Sequence, residues 1–234
     1  MFLSKKMKEH KKRKTAVNNS THTGFIVENK PKSIVAEAYR TLRTNIQYSS
    51  FDKEIKTIAV TSAEMAEGKS TVAGNIALTF AQSEKKVILI DCDLRNPSVH
   101  ENFKVSNLVG ISEVLLGKAT LEESVQKHND NLYFLTSGKI PPNPSEMLAS
   151  LAMIKLIEKL KEEYDIVVLD TPPLNVVTDA QILSVKVDGT ILVVRAEITK
   201  KDVVIEAKNL LDKVGANIIG TVLYAVKNTK SKYY

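Results

Sequence analysis

Thr57-Ile-Ala-Val-Thr-Ser-Ala-Glu-Met-Ala-Glu-Gly-Lys-Ser-Thr71 decides the fold of this 234-residue chain. The apolar run Thr57–Thr61 predicts a buried strand. It stops at a turn of small and acidic residues and feeds Thr71-Val-Ala-Gly-Asn-Ile-Ala-Leu-Thr-Phe80, whose apolar residues recur at helical spacing. The turn closes on Gly68-Lys69-Ser70, the end of the phosphate-loop pattern. The strict pattern places a glycine five positions before Gly68, where this chain has Ala63. In such a loop the backbone N–H groups and the helix N-terminus cradle phosphates, the lysine reaches the β- and γ-oxygens, and the next hydroxyl ligates Mg²⁺. Ala63, Glu64, Met65, Ala66, Glu67, Gly68, Lys69, Ser70 and Thr71 are thus the candidate ATP-binding loop. An incidental Gly-Lys-Ser at an ordinary strand-to-helix connection is the competing reading, and it has to be weighed against the rest of the chain.

Two further apolar runs bear on that choice. Lys86-Val-Ile-Leu-Ile-Asp-Cys-Asp-Leu-Arg95 reads as a strand ending in Asp91 and Asp93, and Asp165-Ile-Val-Val-Leu-Asp-Thr-Pro-Pro173 as one ending in Asp170. In open α/β sheets ligands bind at the carboxyl ends of the strands. One strand-end aspartate often just caps the next helix, but three on one edge beside Gly-Lys-Ser point to a metal–phosphate site. Mg²⁺ held by Ser70 and one or two carboxylates would leave another carboxylate to position or deprotonate a nucleophile. Rival chemistries fare poorly. His10, His22, His100 and His128 have no metal-site spacing, and Cys92, flanked by two acids, is expected to be a buried inert thiol.

The single cysteine excludes an intrachain disulfide framework and agrees with a reducing compartment. No apolar run approaches the ~18 residues of a spanning helix. The net charge of +6 sits in residues 1–14, which hold seven Lys/Arg against Glu9, leaving 26 basic and 26 acidic residues elsewhere. This arm reads as disordered. It is either a plainly solvated tail or a segment drawn to an anionic membrane surface, at about 1 kcal/mol per basic residue. Nucleic acid is disfavoured, because the remainder of the chain has no basic excess.

Residues 15–32 read as linker, with one short strand at Gly24–Val27 and little rigid structure before Ser33. Ser33 is placed as the N-cap of a helix over Ile34–Ile46, on which Glu37, Arg40 and Arg43 share a face. Short helices are expected at Ile111–Leu116 and, capped by Thr120 with Glu123, at Leu121–Lys127. A strand follows at Leu132–Leu135. Pro141, Pro142 and Pro144 keep the next loop extended, and Ser145 is read as capping one long helix to about Glu163. A helix at Thr178–Val185, a strand at Thr190–Val194, a helix at Lys201–Val214 and a strand at 217–223 complete the alternation. The fold class is α/β, a mostly parallel sheet with helices on both faces. Residues 1–32 are the arm and linker, 33–226 the catalytic domain and 227–234 a flexible tail.

These motifs together resemble the bacterial tyrosine kinases of capsule and exopolysaccharide synthesis, in the form whose kinase domain is a separate cytoplasmic polypeptide. The resemblance spans roughly residues 33–229. Ala63–Thr71, Val87–Arg95 with its Asp-x-Asp-x-Arg core, and Ile166–Pro173 are similar to the family's three phosphate-site motifs. Glu37-Ala-Tyr-Arg-Thr-Leu-Arg43 matches the Glu-x-x-Arg-x-x-Arg signature of ring assembly, and Gly138–Leu148 is also characteristic. The resemblance implies a P-loop NTPase fold using ATP and Mg²⁺. Lys69 would hold the phosphates, Ser70 would ligate Mg²⁺, Asp91 would activate a tyrosine hydroxyl, and Asp93 and Asp170 would support the metal. It also implies a homo-oligomeric ring, trans-phosphorylation of the terminal Tyr233 and Tyr234, and an integral-membrane activator whose cytoplasmic tail stimulates the kinase at the inner face of the membrane.

Two departures stand out. Family members commonly carry Pro-Gly where this chain has Met65-Ala66, so a position that favours glycine bears a Cβ, with an expected effect on loop shape or nucleotide affinity. The tyrosine cluster is also short. The rivals are a Par/Min-type positioning ATPase, which typically has a lysine where Glu64 stands here, and a weakly catalytic regulatory subunit.

Overall fold

A computed structural model of the chain describes residues 25–50 and 53–227. The basic arm 1–14 and the tail tyrosines lie outside the described residues. In chain order the elements are α1 (Ile26–Asn29), α2 (Ile34–Gln47), β1 (Thr57–Ser62), α3 (Lys69–Ala81), β2 (Val87–Asp91), α4 (Val99–Phe103), α5 (Ile111–Leu115) and α6 (Leu121–Ser124). There follow β3 (Val125–Lys127), β4 (Leu132–Leu135), α7 (Pro144–Ala149), α8 (Leu151–Glu163), β5 (Ile166–Asp170), α9 (Asp179–Ser184), β6 (Gly189–Arg195), α10 (Lys201–Lys213) and β7 (Ile218–Tyr224). They build a seven-stranded sheet of order β3-β4-β2-β5-β1-β6-β7, parallel throughout except for β3 against β4.

The uninterrupted apolar runs that marked β1, β2 and β5 are explained by burial along their full length, because helices cover both faces of the sheet. Within β2, Val87 and Leu89 join the core shared with α1, α2 and α3, while Ile88 and Ile90 join the core shared with α7, α8 and α9. A third cluster packs Ala207 and Leu211 of α10 on Leu192 and Val194 of β6.

Helix α3 is buried from Val72 to Ala81 because the α1–α2 layer covers the side that the sheet leaves free. Its Thr, Val and Gly content is poor for a helix, with Gly74 costing about 1 kcal/mol relative to alanine. Burial of Val72, Ile76, Leu78 and Phe80, at about 1.5–3 kcal/mol each, outweighs that. Gly74 has a packing reason: a Cβ there would lie 2.1 Å from the Phe25 ring, which stacks on Phe103 at 4.0 Å. Gly74→Val is therefore expected to lower stability by about 1–3 kcal/mol through overpacking, read as the shift of a urea midpoint; an unchanged midpoint would show that the ring moves aside freely.

Several expectations need correction. The strand expected at Gly24–Val27 is not formed by its described residues Phe25–Val27: Phe25 and Val27 are buried, α1 starts at Ile26, and the Val27 N–H donates to Asn75 Oδ1 at 3.1 Å. The packing of these residues depends on Gly74 and Asn75, distant in sequence, so a local window reads them as linker. The segment Leu121–Lys127 is helical only to Ser124; Val125–Lys127 instead pairs with β4, giving that strand a partner on its outer side. The helix assigned to Ser145–Glu163 is two helices. Pro144 occupies the first turn of α7 rather than preceding the helix, and extended Ser150 ends α7 while its hydroxyl caps α8 by accepting from the Met153 N–H. Ser33 caps α2 and Thr120 caps α6 as read from sequence.

Candidate active site

Parallel register brings the three strand-end acids to the phosphate loop. Asp170 is paired with Val60 of β1 on one side and with Asp91 of β2 on the other, so β5 places its carboxylate between the loop and Asp91. The loop after β5 is tied to β1 by the Thr171 N–H and hydroxyl, both donating to Val60 O, and by the Thr61 hydroxyl donating to Pro172 O at 2.9 Å. Lys69, the first residue of α3, turns its Nζ to Asp93 Oδ2 at 2.9 Å, with both side chains largely buried. Asp91 is fully buried and its oxygens accept from backbone N–H groups: Oδ2 from Ser98 and Val99 at 3.0 and 2.9 Å, and Oδ1 from Asp93 at 3.2 Å.

Asp170 is the outlier. It is fully buried, and neither carboxylate oxygen has a hydrogen-bond partner among the described residues. Burial pushes its carboxyl up to about 6, while Lys69 and the nearby Ser70 hydroxyl, which does not reach hydrogen-bonding geometry, draw it down. Burial and the Asp170 charge push Asp91 up to about 8 against the pull of the Val99 and Ser98 N–H groups. Burial alone would depress the Lys69 ammonium, but Asp170, Asp93 and Asp91 outweigh it and hold it above its ordinary value. Three carboxylates thus face one cation, an arrangement that a divalent metal would complete. Among the described residues no set of three or more His, Cys, Asp or Glu could hold a metal alone, so a metal here would draw its remaining ligands from phosphate oxygens and water. The residues fit Mg²⁺ on those terms: Ser70 and Asp170 could hold it, with Asp93 beside them.

The loop reaches α3 through left-handed backbone. Gly68 lies at φ +92° as the N-cap of α3, where it offers no capping side chain, and the first turn of α3 carries no acid. The Tyr224 ring packs against Gly68, where a Cβ would come within 2.5 Å of it. Ala66 adopts φ +60°, the left-handed region anticipated where the family has glycine. Glu64, Met65 and Ala66 are exposed, whereas Ala63 and Glu67 are buried. A groove of about 550 Å³ between α2 and β7 touches the P-loop helix at Thr71 and Asn75 but is lined by none of the three acids, so it is not the chemical centre.

The other singled-out residues are distributed around this centre. Ser145, read as a helix cap, instead donates to Asp179 Oδ1 at 2.5 Å and accepts from Arg95, whose Nε reaches Asp179 Oδ2 at 2.9 Å. Asp179 is fully buried and was missed from sequence; its only signal was an acid in the first turn of α9. This cluster fastens the proline-rich loop to the Asp-x-Asp-x-Arg segment. Cys92 is buried, and burial together with the neighbouring aspartates raises its thiol well above its ordinary value, as befits an inert group. Arg40 pairs with Glu37 at 2.6 Å on the exposed face of α2, whereas Arg43 donates to Thr79 O of α3 at 3.0 Å and so also braces the core.

The AAA domain family matches residues 55–214. Tyrosine-protein kinase YwqD of Bacillus subtilis strain 168 is 45% identical over 210 residues, covering 89% of each chain. Tyrosine-protein kinase CpsD of Streptococcus agalactiae is 37% identical over 199 residues, covering 84% of this chain and 86% of that one. The chain belongs to the bacterial tyrosine-protein kinases. Solved kinase structures superpose accordingly: the Escherichia coli tyrosine kinase ETK domain has a TM-score of 0.81 at 34% identity, covering 90% of this chain and 84% of that one. The chimerical protein CapA2B2 has a TM-score of 0.82 at 40% identity, covering 85% and 88%. Pyrococcus horikoshii MinD, a septum site-determining protein solved with Mg-ADP, shares the fold alone at 24% identity, with a TM-score of 0.61 and coverage of 72% and 69%. This tyrosine kinase therefore has the P-loop α/β fold expected of it, and no helix among its described residues is long and apolar enough to cross a membrane.

Proposed function

We propose that this tyrosine kinase is an ATP- and Mg²⁺-dependent autokinase of capsule or exopolysaccharide synthesis that phosphorylates Tyr233 and Tyr234 of a neighbouring copy. In the transfer the tyrosine Oη forms a bond to the γ-phosphorus, the bond from that phosphorus to the β,γ-bridging oxygen breaks, and ADP leaves. The phenolic proton goes to a carboxylate, for which Asp91 is the candidate. Bound Mg²⁺ would neutralise phosphate charge. Lys69 would hold the phosphate oxygens and Ser70 and Asp170 would hold the metal, while Asp93 orients the Lys69 ammonium. The observation that carries this reading is the buried, unpartnered Asp170 carboxylate beside Lys69.

The assembly is a ring using the exposed Glu37–Arg40 face of α2, at the inner face of the membrane. A membrane-integral activator stimulates the kinase through its cytoplasmic tail, and residues 1–14 add attraction to anionic lipid. Two phosphates near a charge-paired interface, each bringing close to −2, favour dissociation. Light scattering is expected to give a lower mass for Arg40→Ala than for wild type; equal masses would make the face merely solvated. Mass spectrometry after incubation with ATP and Mg²⁺ should find phosphate on Tyr233 or Tyr234. ADP formation with every tyrosine unmodified would instead favour a hydrolytic switch.

A further inference from the structure

Ala66 is a non-glycine residue held at φ +60° at the crest of the phosphate loop. A left-handed conformation opposes an L side chain, so contacts that hold it there lower the cost of the arch. The end of β6 supplies that support. Arg195 donates from a terminal guanidinium nitrogen to Ala66 O at 2.8 Å. The Arg195 N–H donates to Thr199 Oγ1 at 3.1 Å, and the Thr199 hydroxyl donates in turn to Glu67 Oε1. Glu67 is 3% exposed, and its second oxygen accepts from the Glu64 N–H at 3.0 Å, closing the loop's own turn. Ala66 and Glu67 are thereby both tied to residues 195–199, on either side of one peptide bond. Two further non-glycine residues with positive φ, Glu197 and Ala225, stand on the same two supporting segments. The Ala196 N–H donates to Tyr224 O at 2.9 Å, and Lys227 pairs with Glu197. Of the five non-glycine residues at positive φ among those described, three gather around this corner.

We propose that Arg195, Thr199 and Glu67 are positioning residues, a latch from the end of β6 that keeps the phosphate loop arched at Ala66 before the nucleotide arrives. The idea rests on the nucleotide-site reading above and adds to it residues that no phosphate-loop pattern contains. Without the latch the loop relaxes towards ordinary negative φ at Ala66, its N–H groups diverge, and binding must first restore the arch. Glycine at position 66 would remove most of that requirement, because it adopts φ +60° freely.

The rival is that Arg195 acts on the nucleotide directly, since its buried Nε has no partner among the described residues. Two substitutions separate these. Dissociation constants for ADP–Mg²⁺ are measured by calorimetry for the full chain as wild type, Arg195→Ala, Arg195→Lys, Ala66→Gly and the Arg195→Ala, Ala66→Gly pair. Loss of a hydrogen bond from a charged donor predicts weakening by about tenfold or more in Arg195→Ala, with the Michaelis constant for ATP rising in step and kcat at saturating ATP changing far less. Arg195→Lys retains one donor and should bind closer to wild type. Ala66→Gly in the Arg195→Ala background should restore about fivefold or more, and the cost of Arg195→Ala should be several-fold smaller when measured against Ala66→Gly than against wild type. That rescue is the readout a general loss of stability would not produce, and melting temperatures taken alongside identify such a loss. Equal affinity of Arg195→Ala and wild type would overturn the latch. So would a loss that glycine fails to restore, which would assign Arg195 to the nucleotide itself. A wild type that binds no ADP–Mg²⁺ would remove the nucleotide-site reading first, and the latch with it.

Discussion

Lys69→Met should reduce phosphoryl transfer by a factor of about 10²–10³, the loss that follows removal of one preorganised charge donor from a transition state. The side chain is close in length, so what changes is the ammonium, which sits 2.9 Å from Asp93 and offsets the Asp170 charge. Removing it leaves Asp91, Asp93 and Asp170 facing one another without a cation. Breaking a buried ion pair from one side costs about 3–5 kcal/mol where the remaining charge cannot escape, and here the acids escape by taking up protons. The variant should therefore be folded at pH 6 and markedly less stable at pH 8.5. Tyrosine phosphorylation is followed by phosphotyrosine detection and stability by thermal melts at the two pH values. Transfer at more than a tenth of the wild-type rate would mean that Lys69 is a structural cation.

The second large effect concerns the acids. Asp91 and Asp170 are pushed up to about 8 and about 6 from an ordinary value of 3.8, so between about pH 4 and pH 8 the folded chain binds more protons than the unfolded one. The stability tied to these groups is fully present below their unfolded value and is lost as pH rises through 6 and then 8. The nucleotide-free kinase should accordingly melt at a lower temperature at pH 8.5 than at pH 5.5. A divalent cation favours the ionised carboxylates, so binding of Mg²⁺ with nucleotide should release protons and tighten as pH rises from 6 to 8. Asp170→Asn separates the two behaviours. It removes the unpartnered buried charge, so the nucleotide-free protein should melt higher than wild type at pH 8.5, while Mg²⁺-dependent nucleotide binding falls by about tenfold or more. Calorimetry in two buffers of different ionisation enthalpy counts the protons; no proton release, or an Asp170→Asn variant that binds as tightly as wild type, would remove Asp170 from the metal site.

The central strands were legible because burial on both faces makes them continuous apolar runs, and the acids were legible because Asp91 and Asp170 end such runs and Asp93 follows Asp91 by two residues. The acids could be gathered on one edge from sequence, but not the register that pairs Asp170 with Asp91, which is a property of strand order. What escaped depends on partners far along the chain. Val125–Lys127 has helical neighbours and becomes a strand only because β4 offers an edge. Phe25 is placed by the absence of a side chain at Gly74. Ser145 carries its hydroxyl to Asp179 and Arg95 rather than to a helix end. Met65-Ala66 was visible as a departure from glycine, and its geometric meaning is the φ of Ala66, but the support from Arg195 lies 129 residues away. Local pattern reports what a residue does with its near neighbours, and in this chain the braces are remote.

The α1–α2 layer sets where the catalytic unit can be trimmed. The first signature residues begin at Glu37, and a boundary drawn from motifs would fall at Ser33. Cutting there removes Phe25 from the hollow at Gly74 and removes the Val27 amide from Asn75, one turn beyond Thr71 on α3. A shortened chain would keep every motif residue and lose the backing of the helix that carries Lys69. Expression boundaries and domain exchanges in this chain are therefore set by Phe25, ahead of anything a motif search marks.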